Sequence, residues 1–269
     1  MLTVAIAQTA PKLLAVDVNF EELVEATGRV AADIYLFPEL CLSGYAFSSP
    51  EEVHSCAFPQ DNPYFDQLMQ LTEEREVALC GGYAEAAADG AIYNSAFFIG
   101  DGKLLANYRK THLFYREKHF FTPGDSGFSV VKYRGTRFGM MICYDWIYPE
   151  AARSLALLGA QVILHPANLV LPYCQRAMFA RSVENRVFVA TANRVGRETN
   201  AQQDDLLFTG GSQVVAPSRE YLLTLDDSHP AIERVEIDPS AADDKTLNSF
   251  NSLLEDRRPT LYFGDAPER

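Results

Sequence analysis

Residues 137–153 read RFGMMICYDWIYPEAAR, and the fold class turns on this stretch. Positions 137–142 form an apolar run of strand character, Cys143-Tyr144-Asp145-Trp146 follow at once, and Pro149 opens a helical segment that stops at Gly159. Proline presets the first helical turn and glycine tolerates the left-handed cap, so the two bracket a helix over 149–158. A strand running directly into a helix is the unit of an α/β layer protein. The turn between them lies at the carboxyl end of the strand, where open α/β sheets place their ligands.

Outward from this unit the same alternation continues. Strand character recurs at 2–8, 34–37, 77–84, 91–99, 104–108, 128–132, 161–165, 186–192, 212–216, 222–225 and 231–237, and helical character at 17–30, 63–74 and 172–184. Asp89-Gly90 and Asp101-Gly102 predict hairpin turns in the middle of the chain. Hairpins among interleaved helices predict mixed sheets and not one parallel sheet, and two sheets with helices outside would house so many strands. SSPEE (48–52), AAADGA (86–91) and RETNAQQDD (197–205) read as loops, none of which shifts composition enough to cut the chain. A single domain over 1–269 is expected.

Composition excludes several functions. The chain has 23 basic and 36 acidic residues, a net charge of −13, and no basic stripe that a nucleic acid would need. With 48% hydrophobic residues there is material for a large core. No apolar run reaches the ~18 residues of a membrane helix. The opening MLTVAIAQTAPK lacks a basic region and reads as a first strand, not a secretion signal. Five cysteines (41, 56, 80, 143, 174) with no CxxC pair predict reduced thiols and a cytoplasmic protein. The phosphate-loop, dinucleotide and HExxH patterns are missing and the cysteines lack zinc spacing, so neither cofactor nor metal is expected. Gly124-Asp125-Ser126-Gly127 resembles the serine motif of trypsin-like proteases, but that fold is all-β and disulfide-braced, and the stretch reads as a turn.

Three strand ends carry chemistry. Cys143 sits on the strand-to-helix turn, where backbone amides can donate to a developing oxyanion. A free cysteine is ordinarily a small core hydrophobe, and Cys41, Cys56, Cys80 and Cys174 are read that way. A thiol is mostly protonated at pH 7 and needs a base and a nearby positive charge. LFPEL (36–40) puts Glu39 after a buried strand, in an apolar setting that would raise it toward a general base. YRKTHLF (108–114) puts Lys110 after another strand, where an ammonium would favour thiolate and hold an oxyanion. Taken singly, Glu39 reads rather as a solvated turn residue and Lys110 as surface charge beside Arg109.

Together these segments resemble the nitrilase superfamily of carbon–nitrogen hydrolases, whose Glu–Lys–Cys triad falls on Glu39, Lys110 and Cys143. EKHFFTPGDSGF (117–128) resembles the stretch carrying a second family glutamate, which maps to Glu117; HPANLVLP (165–172) and RSVENRVFVATANRVG (181–196) also look like family segments. The wording is similar to short bacterial and archaeal aliphatic amidases and nitrilases. The resemblance implies a four-layer αββα sandwich of two mixed β-sheets flanked by helices, a homodimer or larger homo-oligomer, and cofactor-free hydrolysis of a small amide. A nitrile substrate, an N-carbamoyl substrate and acyl transfer to an amine are alternatives. The N-carbamoyl reading is weakened because no long insertion separates Lys110 from Glu117. A scaffold that kept the fold would have no need of a buried charge pair and thiol. Glu117 is expected to orient Lys110 or position substrate. Tyr144 is expected to contribute its backbone amide, and Tyr115, Trp146, Asn168 and Tyr173 adjoin the triad as candidate substrate contacts. Asp145 reads as a local cap, and His165 offers a rival Cys–His dyad.

Overall fold

A computed structural model of the protein describes residues 1–202 and 205–262. The first half builds one sheet from β1 (Leu2–Gln8), β2 (Ile34–Leu36), β3 (Ala78–Ala86), β4 (Ile92–Gly100) and β5 (Lys103–Arg109). The second half builds another from β6 (Val130–Tyr133), β7 (Thr136–Met140), β8 (Val162–Ala167) and β9 (Phe188–Asn193). An excursion follows as the hairpin β10 (Val195–Thr199) and β11 (Asp205–Thr209), after which β12 (Gln213–Val215) and β13 (Tyr221–Thr224) complete the second sheet. The chain then crosses back, and β14 (Ala231–Ile237) closes the edge of the first sheet against β1. The helices are α1 (Val16–Ala26), α2 (Pro50–Cys56), α3 (Pro63–Arg75), α4 (Glu117–Phe120), α5 (Pro149–Leu157) and α6 (Cys174–Asn185).

Each sheet has six strands, in the orders β14-β1-β2-β3-β4-β5 and β6-β7-β8-β9-β12-β13. Neighbour by neighbour, both run antiparallel, parallel, parallel, antiparallel, antiparallel. Helical crossovers produce the parallel pairs, and tight turns such as Asp101-Gly102, both at positive φ, produce the antiparallel ones.

Alternation along the strands sorts the layers. Val4 and Ile6 of β1 face the second sheet, while Ala5 and Ala7 face Phe20 and Leu23 of α1. The sheets meet directly: the Phe98 and Phe138 rings lie 5.3 Å apart and the Cys80 and Met140 sulfurs 3.8 Å apart. Ala152 and Leu155 of α5 and Met178 of α6 extend that core outward. Helices, sheet, sheet and helices are thus the expected four-layer sandwich.

Three local expectations are corrected. The first helix stops at Ala26, not at 30: the Thr27 hydroxyl turns back on the Val24 carbonyl (2.7 Å), and the amides of Gly28 and Arg29 reach back only three residues (2.9 and 3.1 Å). SSPEE is not a loop but the start of α2, with Ser49 as N-cap accepting from the Glu52 amide and Pro50 in the first turn. In RETNAQQDD, 197–199 belong to β10 and Asp205 opens β11; Gln203 and Asp204 lie outside the described residues. No helix among the described residues is long and apolar enough to cross a membrane.

Candidate active site

Glu39 stands in the loop leaving β2. The Phe37 amide still bonds the Cys80 carbonyl of β3 (2.8 Å), and the Gly82 amide bonds the Pro38 carbonyl (3.0 Å), so the loop lies flat on β3. Only glycine permits this. A Cβ at position 82 would stand 2.3 Å from the Leu40 nitrogen and 2.7 Å from the Glu39 Cα. Glu39 Oε1 accepts from Lys110 Nζ (2.5 Å) and from Asn94 Nδ2 (2.7 Å), and its Oε2 is buried without a hydrogen-bond partner among the described residues.

Lys110 follows β5, whose alternation points Arg109 away into an ion pair with Glu85 (2.7 Å) and leaves Lys110 facing inward. Its amide bonds the Asn94 carbonyl and its carbonyl accepts from the Gly124 amide, each at 2.8 Å. Gly124 is as constrained as Gly82, since a Cβ there would sit 2.1 Å from the Arg109 carbonyl oxygen. The GDSG stretch is an irregular segment with a bend at Ser126, and it braces this strand end, with Asp125 paired to Arg109 at 3.2 Å. Glu117, the first residue of α4, closes on the other side: its Oε1 accepts from Lys110 Nζ (2.8 Å) and from the Tyr45 hydroxyl (2.6 Å). The ammonium is therefore gripped by two carboxylates, and all three side chains are almost wholly excluded from solvent.

Cys143 opens a short 3-10 helix (Cys143–Ile147) three residues beyond the end of β7, with φ at +40°. A β-carbon at positive φ is costly and persists only where the surroundings impose it. Here Asp145 imposes it. Its Oδ2 accepts from the Ile142 amide and the Tyr108 hydroxyl, both at 2.8 Å, and its Oδ1 from the His112 amide (3.2 Å) and ring (2.7 Å). One carboxylate thus ties the cysteine turn to the strand end that carries Lys110. His165 Nε2 donates to the Cys143 carbonyl (3.0 Å), and burial drops its imidazole to about 4, so it is neutral and braces the turn.

The electrostatics of the cluster follow from burial. Desolvation opposes the Lys110 charge, but Glu117 and Glu39 override it and hold the ammonium protonated far above the ordinary lysine range. Burial pushes the Glu117 carboxyl up, to about 7, against the pull of Lys110. An adjacent ammonium ought to favour thiolate at Cys143. The opposite holds, because burial and then the Glu39 charge raise the thiol well above its usual range while Lys110 offsets only part of that rise. The resting sulfur is a neutral thiol, and a proton acceptor is needed to activate it.

The remaining candidates divide. Asn168 is buried: its Nδ2 donates to the Glu39 carbonyl (2.9 Å), and its Oδ1 is buried without a partner among the described residues. Tyr144 is half-buried, its ring 5.0 Å from that of Phe114. Trp146 is half-buried against the core, and its carbonyl accepts from Arg181. Tyr115, at φ +50°, and Tyr173 are about 60% exposed (60% and 61%) and stay at the surface. Cys41, Cys56, Cys80 and Cys174 are free and buried.

Sequence reasoning did not find Asn94, Tyr45, Gly82 or Gly124. Asn94 left one signal, an amide in the otherwise apolar strand AIYNSAFF; Tyr45 left none.

A family model described as carbon-nitrogen hydrolase matches residues 3–244. A nitrilase from Pyrococcus abyssi is 40% identical over 269 residues, covering 98% of this chain and 100% of its own. An (R)-stereoselective amidase from Pseudomonas sp. is 38% identical over 195 residues, covering 71% of this chain and 68% of its own. A solved nitrilase-superfamily amidase from Nesterenkonia AN1 has a TM-score of 0.79 and 28% identity, covering 97% of this chain and 95% of that one. Another form of that amidase carries the acetamide moiety of fluoroacetamide covalently at its active-site cysteine.

Proposed function

We propose that this chain, which belongs to the carbon–nitrogen hydrolase family, hydrolyses the non-peptide C–N bond of a small amide to a carboxylic acid and ammonia through a cysteine thioester. The observation that carries this reading is the buried Lys110 ammonium, 2.5 Å from Glu39 and 2.8 Å from Glu117, with the buried Cys143 thiol within reach of their charges. The domain is read as spanning 1–269.

In this reading Glu39 takes the thiol proton as the sulfur attacks the carboxamide carbon. The oxyanion is held by Lys110 and by the Tyr144 amide, one of the first-turn donors that lack an intrahelical partner. Glu39 returns the proton to nitrogen, the C–N bond breaks, ammonia leaves and the acyl group stays on sulfur. Glu39 then deprotonates water, which attacks the thioester; the acid departs and the thiol is restored. General-base assistance is worth ~10²–10⁴-fold and one oxyanion donor ~10²–10³-fold. Glu117 keeps Lys110 in place, and Asn168 fixes the Glu39 backbone through its carbonyl.

The adduct on the Nesterenkonia amidase supports an amide substrate. The Pyrococcus relative favours a second reading, a small aliphatic nitrile converted to acid and ammonia on the same groups. Ammonia release from a panel of small amides, nitriles and carbamoyl compounds, with Cys143→Ala as control, tests both. Turnover confined to nitriles would replace the first reading by the second, and equal turnover by Cys143→Ala would end both. The reading includes a cytoplasmic homodimer, the oligomeric part of which sedimentation velocity checks.

A further inference from the structure

Tyr45 has no step in the hydrolysis proposed above, yet its hydroxyl donates to Glu117 Oε1 at 2.6 Å, the oxygen that also receives Lys110. Its placement is heavily determined. Gly44, at φ +78°, lets the chain turn where a Cβ would meet the Leu13 Cα at 2.6 Å. The amides of Tyr45 and Ala46 both donate to Glu198 Oε2, at 2.9 and 2.6 Å. Glu198 is buried on β10 and paired with buried Arg194 at 3.1 Å, whose second nitrogen donates to the Pro11 carbonyl and whose guanidinium lies 4.0 Å over the Phe208 ring. The Tyr45 ring meets that same Phe208 edge-on at 6.0 Å. A buried ion pair from the hairpin excursion therefore holds one backbone segment, and that segment aims one hydroxyl at one carboxylate oxygen.

We infer that Tyr45 is a positioning residue for the proposed hydrolysis, acting through Glu117 to fix the carboxylate oxygen that holds Lys110. The inference rests on the hydrolase reading above. The groups facing Glu117 are Lys110 from the β5 end, Glu39 from the β2 loop, Cys143 from the β7 turn and Tyr45 itself; on its own element Arg116 bonds Gln202 and Lys118 is exposed. Burial and the Glu117 charge keep the phenol protonated, so it serves only as donor to that carboxylate. Without the donor the carboxylate binds its proton more tightly and its grip on Lys110 loosens at neutral pH.

The test is Tyr45→Phe, which keeps the ring against Phe208 and removes only the hydroxyl. A hydrogen bond to a charged group of this kind corresponds to about one pH unit, so the acid limb of kcat/KM should move up by about that much. At pH 7, where Glu117 titrates, kcat should fall about fivefold with KM within twofold. Side-chain carboxylate NMR should show the Glu117 midpoint rising by about the same unit. An active wild type with a Y45F profile and Glu117 midpoint that do not move overturns this inference alone. A wild type inert on every amide, nitrile and carbamoyl compound overturns the hydrolase reading and any positioning role with it.

Discussion

Gly82→Ala is the sharpest perturbation of the cluster that removes no polar group. The added Cβ would lie 2.3 Å from the Leu40 nitrogen, 2.7 Å from the Glu39 Cα and 2.8 Å from its carbonyl carbon. Carbon contacts settle near ~3.5 Å, so the Glu39 loop must retreat by about 1 Å. That carries Glu39 Oε1 from 2.5 Å toward about 3.5 Å from Lys110 Nζ, beyond useful hydrogen-bond range. A displacement of about 1 Å costs roughly 10²-fold in rate. Overpacking of this kind costs about 1–3 kcal/mol, or roughly 2–5 °C in Tm for a chain of this size. Gly90→Ala is the control: φ is +85° but nothing stands within 4 Å, so it carries left-handed strain of about 1–2 kcal/mol and no loss of rate. The assays are thermal unfolding and steady-state ammonia release. A Gly82→Ala protein with wild-type kcat and a Tm within about 1 °C of wild type would refute the argument from close backbone approach.

Three further outcomes are expected. Glu39→Gln should lower kcat by ~10²–10⁴-fold, while His165→Gln, which can still donate to the Cys143 carbonyl, should keep most of it; the reverse ranking in ammonia release would restore the Cys–His dyad. His165 binds its proton near 6.5 when unfolded and about 4 when folded, so its contribution to stability is whole above the unfolded value and is lost as pH falls toward the folded one. The loss is about 3 kcal/mol, and urea midpoints at pH 7 and 4.5 should differ less in His165→Gln than in wild type; equal differences would contradict the neutral buried imidazole. Asn94→Ala removes the 2.7 Å donor to Glu39 and should lower kcat about 10-fold or more with little change in KM, a split that initial rates against substrate concentration would reveal or deny.

Much of the layering was readable because hydrophobic periodicity reports burial directly. The 149–158 helix and the strand before it were bracketed by Pro149 and Gly159, residues whose backbone restrictions act locally. The three strand-end groups were readable for a similar reason, since LFPEL, YRKTHLF and MMICYDW each join a buried strand to one reactive side chain within a few residues. What stayed hidden was contact through space. Glu198 sat in a stretch of loop-like composition, and nothing nearby showed that its carboxylate would be buried under Tyr45 and Ala46. Gly82 looked like an ordinary strand glycine in VALCGG until the loop after β2 was seen lying on it. The α2 start was missed for a different reason: Ser-Pro-Glu-Glu is a helix-opening signal that a loop-like composition masked.

The matching strand orders of the two sheets have a consequence for how competence could arise. The acidic groups and the ammonium come from the first half of the chain, and the sulfur comes from the second, beyond the bend at Ser126. Neither half alone owns a complete set of reactive groups, and β14 returns from the far end to seal the first sheet. Turnover would therefore be a late event in folding, reporting that both halves have docked and that the final strand has stitched them shut.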